Sequence, residues 1–422
     1  NPTQPDRSSS SAFDALPENA EALAAATANF ANVGSAFEKS VWKFQAFRDL
    51  FLDSYLSGKL AALAPDDEEL RGVRPIDKRL YSETFRFFVR VVQDVATRVR
   101  EFSTELGVVA ESLLAGQSLM DSSPVAVNNV AQLHAVCSDI VNRVKGLHHN
   151  YVIVPIGWTR KRSKKSKAPQ SVLPEGQIMF LTVAKDGGHS GMGGSGTCTV
   201  ALTNSCKEPG FGLEEYHGMY IDKTSKFKRN ITYILREVEE EKVEDASFWF
   251  VLLHGLAFPS KKSGPTTIYE TMMPYLNRRT LVANATENDW RSLPRGDDLS
   301  KARALKDVLY FMLMQSGVAH IDAKRIMVHI RWSILRMAMS DIQRLKVLTS
   351  SEGIMLHITR RQVSHAATKL VEKEEIGKKY SQEFLALEKD VVSAKVLIDE
   401  RLKDEYFTQE SVWKASNDAV GT

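Results

Sequence analysis

In the first third of the chain, apolar residues recur every three or four positions, which is the spacing of one helix face. One such stripe passes through Phe85 and Phe88. A second stripe passes through Leu133 and Cys137, and the pair Ser123–Pro124 before it is suited to the N-cap and first turn of a helix. The pattern predicts an antiparallel bundle of three to five helices in this region.

The pattern changes at Tyr151, where β-branched and aromatic residues begin to form short runs. Runs of this kind, separated by glycine, proline and polar segments, are typical of strands. They predict a largely antiparallel sheet with strands at 151–158, 177–185, 197–204 and 231–238. The glycine-rich segment 186–197 separates two of these runs, and no lysine follows its glycines. A long hairpin loop is therefore expected there, and not a phosphate-binding loop.

Helical spacing returns after Asp245, which is placed to cap the helix that follows. Further helices are predicted near 265–278, 299–316 and 321–347, and a long, charge-rich helix at 359–405. The order helices, sheet, helices predicts an α+β fold with an N-terminal helical bundle, a central mainly antiparallel sheet and C-terminal helices. The predicted divisions are a disordered tail (1–16), the bundle (17–148), an α+β module (149–347) and a C-terminal long-helix region (348–422).

Composition narrows the class of protein. The chain has 422 residues, three cysteines and a formal net charge of +3. Three cysteines do not form a disulfide framework, so the cytoplasm or the nucleus is the expected compartment. Near-neutral charge and the lack of a long apolar run favour neither nucleic acid nor membrane as a partner. Because the chain begins with Asn1, we expect it to belong to a larger polypeptide.

Two charged stretches stand out. Residues 160–167, RKRSKKSK, hold six basic side chains in eight positions. They offer contacts to phosphate or to an acidic protein surface, but the lack of interleaved aromatic residues favours a solvated loop. The acidic stretch 236–245, REVEEEKVED, is expected to offset this charge in part.

The cysteines invite a test for thiol chemistry. Cys137 follows His134 by three positions, and an imidazolium beside a thiol lowers the thiol pKa. Cys137 also lies on the apolar stripe of its helix, where a free cysteine behaves as a small hydrophobic residue, so a structural role is favoured. Cys198 and Cys206 lack the spacing of a zinc site, and no metal or cofactor is predicted.

Several short motifs follow one another in a fixed order. They are Gly-Trp at 157–158, Gly-Gln-Ile-Met at 176–179, Thr-Asn at 203–204, Gly-Leu at 212–213, Tyr-His at 216–217, Asp-Trp-Arg at 289–291 and Pro-Arg-Gly at 294–296. This order resembles a thiol-hydrolase-like module of very large fungal and protist proteins described as ubiquitin hydrolases. The resemblance covers about residues 151–340 and implies a papain-like fold with a Cys, His and Asn triad.

Two of the three triad positions depart from the family pattern. Gln177 stands where the resemblance implies the histidine, and Leu299 stands where it implies the cysteine, whereas Asn204 matches the asparagine. A thiol hydrolase requires a thiolate and a base within hydrogen-bond reach. The resemblance therefore implies a pseudoenzyme, a non-catalytic module that binds or scaffolds protein partners, among them ubiquitin or a ubiquitin-like protein.

Two alternatives remain open. In the first, the chain is an active cysteine-type deubiquitinase or peptidase with a relocated nucleophile, Cys206, and His217 as its base. In the second, it is a structural helical assembly protein that associates through the long helix predicted at 359–405. Neither alternative requires a cofactor.

Overall fold

The computed structural model describes twelve stretches of the chain. They are residues 78–122, 129–147, 150–160, 175–186, 196–204, 212–217, 219–221, 227–260, 264–276, 290–292, 301–343 and 381–404. The chain divides into two compact units, one of residues 72–333 and one of residues 1–71 together with 334–422. The predicted boundary between residues 148 and 149 falls within the first unit. The predicted tail at 1–16 lies outside the described residues.

Three helices precede the sheet: α1 (Lys78–Arg98), α2 (Ser103–Asp121) and α3 (Val130–Lys145). A short 3-10 turn joins the first two. The prediction that Ser123 caps the third helix is wrong, because α3 begins at Val130. Its N-cap is Asn129, whose side chain accepts a hydrogen bond from the backbone N–H of Gln132 at 2.9 Å.

Four antiparallel strands form the main sheet, which confirms the predicted α+β class and the predicted strands. They are β1 (Tyr151–Arg160), β2 (Glu175–Lys185), β3 (Thr197–Thr203) and β6 (Thr232–Glu239), in the spatial order β1-β2-β3-β6. β2 and β3 are hydrogen-bonded neighbours, so the glycine-rich segment connects adjacent antiparallel strands, as predicted. A smaller sheet consists of β4 (Met219–Ile221), β5 (Phe227–Asn230) and β7 (Trp290–Ser292).

Helices cover both faces of the main sheet. On one face, Phe180 of β2 packs edge to face against Phe85 of α1, with ring centroids 5.5 Å apart. On the other face, alternate residues of β1 pack against α3 and against α6 (Ala246–Ala257). Both faces are buried, which explains why β1 is a continuous apolar run without polar alternation. The helices of the predicted bundle therefore pack against the two faces of the sheet.

The remaining helices follow the sheet. Asp245 caps α6 as predicted, because its Oδ1 accepts a hydrogen bond from the backbone N–H of Ser247 at 2.8 Å. The other elements are α4 (Leu213–Tyr216), α5 (Glu240–Val243), a π-helical segment (Thr267–Met272), α7 (Met273–Leu276), α8 (Lys301–Gln315), α9 (His320–Gln343) and α10 (Ser381–Asp404). None of the helices in the described ranges is both long and apolar enough to cross a membrane.

Candidate functional site

Two of the three predicted triad positions lie at the same end of the main sheet. Gln177 is near the start of β2, and Asn204 directly follows the last residue of β3. The register of these strands places Asn204 beside Met179. Gln177 and Met179 are two residues apart on one strand, so their side chains share a face of the sheet. Leu299 lies outside the described residues, and its place in a triad stays a prediction.

Asn204 belongs to a buried, hydrogen-bonded group centred on the hydroxyl of Tyr269. Asn204 Nδ2 donates to Tyr269 Oη at 3.0 Å, and His217 Nε2 lies 2.8 Å from the same oxygen. The hydroxyl also lies 3.6 Å from Sδ of Met179. All four side chains are buried, and we refer to them as the Tyr269 cluster (Met179, Asn204, His217 and Tyr269).

The Tyr269 hydroxyl connects the amide of Asn204 to the imidazole of His217. A phenol has one proton to donate, and the imidazole nitrogen is a stronger acceptor than the thioether sulfur of Met179. In a thiol-hydrolase triad, the third member orients the histidine. Here the hydroxyl of Tyr269 lies within hydrogen-bond distance of both side chains and holds them in one arrangement.

A tight turn positions His217 at the end of α4. The turn begins at Gly212, whose φ is +90°, and the Gly212 N–H donates to Glu215 Oε2 at 2.9 Å. A Cβ atom on residue 212 would lie only 2.4 Å from Cε2 of the Tyr269 ring. Glycine is therefore required here both by the backbone conformation and by the close approach of the ring.

Tyr269 itself lies in the π-helical segment, a rare geometry that occurs frequently at functional sites. The ring of Tyr216 stacks on it in parallel, with centroids 4.6 Å apart and an interplanar angle of 5°. The Tyr216 hydroxyl donates to Glu270 Oε1, and this hydrogen bond is the main cause of a raised pKa for Tyr216. The site thus has a buried inner tyrosine and a half-buried outer one.

A cavity of about 420 Å³ opens beside the cluster on the same face of the sheet. Its walls include the aromatic side chains of Trp158, Phe250 and Phe258. Trp158 pairs with Gln177 across β1 and β2. None of the described residues that line the cavity is Asp, Glu, Lys or Arg, and His254 is the titratable side chain among them. The cavity therefore suits an uncharged, apolar or aromatic group.

The two described cysteines are buried in the core and are poor nucleophiles. Burial raises the pKa of the Cys137 thiol to about 11 and that of the Cys198 thiol to about 12. The predicted structural role of Cys137 is confirmed, because its side chain packs in the core cluster, while the ring of His134 stacks on Phe250 at 4.7 Å. Cys206 lies outside the described residues, so its pairing with His217 stays a prediction.

The described stretches do not bring metal-ligating side chains together. They contain no group of three or more His, Cys, Asp or Glu side chains that is arranged to hold a metal ion. Comparison with protein-family models, with curated proteins and with solved structures found no match to this chain.

Sequence reasoning missed Tyr269, the central residue of the site. Tyr269 lies 65 positions from Asn204 and 52 from His217, within a predicted helix at 265–278. In that helix, an aromatic residue at helical spacing is typical of core packing. The two helical residues Tyr269 and Glu270 become part of the site through contacts that only the folded chain creates.

Proposed function

We propose that this chain is a non-catalytic, papain-like module that binds or scaffolds protein partners within a larger, ubiquitin-linked protein. The observation that carries the proposal is the Tyr269 cluster beside the cavity. It joins the predicted asparagine position to a histidine at the sheet end that also holds Gln177. The hydrogen bonds of the cluster hold its side chains in a fixed arrangement. The cluster contains no thiol, so it does not supply the thiolate and base that a thiol hydrolase needs.

The predicted base position supports the absence of catalysis. The amide Nε2 of Gln177 donates to the backbone carbonyl of Ile178 at 3.1 Å, and the side chain is 5% exposed. An amide neither takes up a proton near neutral pH nor activates a thiol. A side chain held in this way suits a structural role at the edge of a binding cleft.

The thiols support the same conclusion. At neutral pH a thiol with a pKa of about 11 or 12 is almost entirely protonated, and the protonated form is a weak nucleophile. Neither Cys137 nor Cys198 has the electropositive, accessible surroundings that catalytic cysteines use. The proposal therefore depends on the behaviour of Cys206, which an experiment can settle directly.

The first experiment uses ubiquitin that carries a C-terminal electrophile, incubated with the chain and analysed by intact mass. We expect no adduct in the native protein. An adduct that disappears in Cys206→Ser, and not in the control Cys137→Ser, would establish the alternative of an active hydrolase with a relocated nucleophile. In that case His217→Gln is expected to abolish the adduct as well, because the thiolate would need its base.

The second experiment tests reversible binding. Isotope-labelled ubiquitin is titrated with the chain, and chemical-shift changes are followed by NMR. We expect saturable shifts confined to one face of ubiquitin, with a Kd in the range of weak, transient complexes, about 10–500 μM. A complete lack of shifts at about 1 mM chain would remove ubiquitin from the proposal.

A structural assembly role is the second candidate function, and exposed apolar side chains on α10 are the observation that favours it. Leu385, Val392 and Val396 lie on one stripe of this helix and are 64%, 54% and 49% exposed. Two copies of the stripe, packed antiparallel, would cover each other's apolar side chains. Light scattering after size exclusion, with Leu385→Glu as the variant, tests this: an unchanged monomer in both samples argues against it.

A further inference from the structure

Two neighbouring helices, α3 and α6, share an outer surface without acidic or basic side chains. They pack against each other on one face of the main sheet, and the ring of His134 on α3 stacks on Phe250 of α6. The described stretches 129–138 and 246–260, which contain the start of α3 and all of α6, hold no Asp, Glu, Lys or Arg. We call the outer surface of these two stretches the α3–α6 face. In a chain with 25% charged residues, about six charged side chains would be expected among them.

Burial does not explain the lack of charge, because much of the α3–α6 face is exposed. Twelve positions in the two stretches are exposed, and they hold only Val, Ala, Asn, Gln, Ser and His. Val130 is 51% exposed and Val251 is 43% exposed. The surface of a soluble domain commonly carries about 25–35% charged residues. Depletion of charged side chains is instead typical of surface that another protein covers.

The α3–α6 face carries a hollow as well as protruding side chains. The cavity of about 420 Å³ opens on it, and Phe250, Val251 and His254 belong to both the face and the cavity wall. The His254 ring approaches the rings of Phe250 and Phe258, with centroids 5.9 and 4.9 Å apart. An apolar surface with both a hollow and exposed valines offers complementary shapes to a partner that has the same features.

From these features we propose that the α3–α6 face is covered by the same face of a second copy of this chain, in a two-fold dimer. A two-fold contact places the same patch on both sides, so a charged patch would bring like charges together. The α3–α6 face avoids that repulsion. A charged partner, in contrast, would lose hydration against this face without gaining a counter-ion.

The polar side chains of the face are also suited to pair with copies of themselves. The amide of Gln132 and the hydroxyls of Ser138 and Ser247 can each both donate and accept hydrogen bonds. An ammonium group only donates and a carboxylate only accepts, so neither pairs with its own kind. Amides and hydroxyls therefore satisfy each other across a two-fold axis without further groups.

The size of the face predicts weak association. Helical stretches of ten and fifteen residues are about 15 and 22 Å long, and two helices side by side are about 20 Å wide. One copy would thus bury about 400–500 Å², and the dimer about 800–1,000 Å², which is the range of weak, transient complexes. We expect a Kd of about 10–500 μM. This dimer is independent of ubiquitin binding and of the assembly through α10.

Sedimentation equilibrium of the full chain, from about 5 μM to about 1 mM, tests the proposal. We expect the weight-average mass to rise with concentration from that of one chain towards that of two. A mass of one chain at every concentration would overturn the proposal. A mass that rises beyond two chains would overturn the two-fold contact, because a closed dimer does not grow further.

Charge-introducing variants identify the surface that makes the contact. Val251→Glu places a carboxylate on an exposed position of the face, and we expect it to weaken self-association by about tenfold or more. Ala135→Glu, at an exposed position of α3, is expected to act in the same direction from the other helix. Leu114→Glu is the matched control, because Leu114 is 47% exposed on α2 and outside the face. It should leave self-association unchanged. Far-UV circular dichroism and thermal unfolding check that each variant folds.

The contrary outcomes separate this dimer from the other proposals. Equal weakening by the face variants and by Leu114→Glu, with all of them folded, would overturn the α3–α6 face as the contact. Weakening by Leu385→Glu alone would also overturn it and would assign self-association to α10. The ubiquitin titration is a separate readout, so a lack of shifts in ubiquitin would remove ubiquitin as a partner and leave the dimer standing.

Discussion

The two ends of the main sheet differ in the burial and the charge of their polar side chains. At the end of Gln177, the polar side chains of Asn204, His217 and Tyr269 are buried and form hydrogen bonds around the Tyr269 hydroxyl. At the end of Lys185, the polar groups are charged and partly exposed, and the Lys185 ammonium lies 3.3 Å from Glu240 and 3.5 Å from Glu244.

This difference determines which substitutions lower the free energy of unfolding most. A buried donor or acceptor that loses its partner keeps the full cost of its lost hydration, whereas an exposed ion that loses its partner returns to water. The same contrast predicts that substitutions lower the free energy of unfolding strongly at the Tyr269 cluster and weakly at the charged end of the sheet, around Lys185.

The largest effect is expected for Gly212→Ala. The new methyl group would lie 2.4 Å from the Tyr269 ring, on a backbone with φ of +90°. Strain and overpacking together are expected to lower the free energy of unfolding by about 3 kcal/mol, measured by urea denaturation. The control is Gly107→Ala, which has no atom within 4 Å of the new group and lies inside α2. There the free energy of unfolding should rise by about 0.5–1 kcal/mol, because alanine favours the helix. Equal effects in the two variants would contradict the tight packing at Gly212.

A smaller loss is expected for Tyr269→Phe. Only the hydroxyl is removed, so the ring packing on Tyr216 remains, while Asn204 Nδ2 and His217 Nε2 each lose this partner inside the protein. We expect the free energy of unfolding to fall by about 1–3 kcal/mol in urea denaturation. Tyr275→Phe is the control, because that side chain is 42% exposed and its hydroxyl lies 3.4 Å from Asp245. Its expected loss is below about 0.5 kcal/mol, and a similar loss in both variants would show that burial does not set the cost.

The sequence predicted the layout of the sheet better than the start of one helix. β1 could be predicted because a β-branched and aromatic run identifies a strand without knowledge of the neighbouring strands. The cap at Asp245 could be predicted because an N-cap residue bonds to a backbone N–H only two or three residues further along the chain. The first turn of α3 was misplaced, because Ser123–Pro124 and Asn129 both offer N-cap chemistry and local sequence does not choose between them. The choice depends on where the helix packs.

The residues of the candidate site also differ in whether the sequence alone could identify them. Gln177 and Asn204 were proposed only because the resemblance implies triad positions there, and the register of the strands brings these two residues to one end of the sheet. Tyr269 was not found, because its role comes from hydrogen bonds to residues more than fifty positions away. Nothing in the pattern of its own helix distinguishes it from a core aromatic residue.

A further loss of stability is expected at alkaline pH. The thiols of Cys137 and Cys198 have ordinary pKa values near 9.0 when unfolded, and burial raises the pKa to about 11 and about 12 in the folded chain. Above pH 9 the unfolded state loses protons that the folded state keeps, so stability falls as the pH rises. Between pH 8 and pH 10 the free energy of unfolding should fall by about 1 kcal/mol for each thiol.

Cysteine variants isolate this contribution from that of the tyrosines. Urea denaturation is carried out at both pH values for the native chain and for Cys137→Ala and Cys198→Ala. Each variant should show a shallower fall between pH 8 and pH 10 than the native chain, although alanine itself lowers stability at both. An identical fall in all three proteins would mean that the buried thiols do not control the alkaline response.

The smallest effect is expected at the charged end, for Lys185→Gln. The substitution removes the ion pairs to Glu240 and Glu244, whose side chains are 26% and 25% exposed and remain hydrated. Partly exposed pairs of this kind contribute about 0–1 kcal/mol, so the free energy of unfolding should fall by less than about 1 kcal/mol. The difference between the variant and the native chain should shrink further in 0.5 M NaCl, because salt screens the charges that the lysine neutralises. A loss as large as that of Tyr269→Phe, and insensitive to salt, would show that Lys185 is held like a buried group and would end the contrast between the two ends of the sheet.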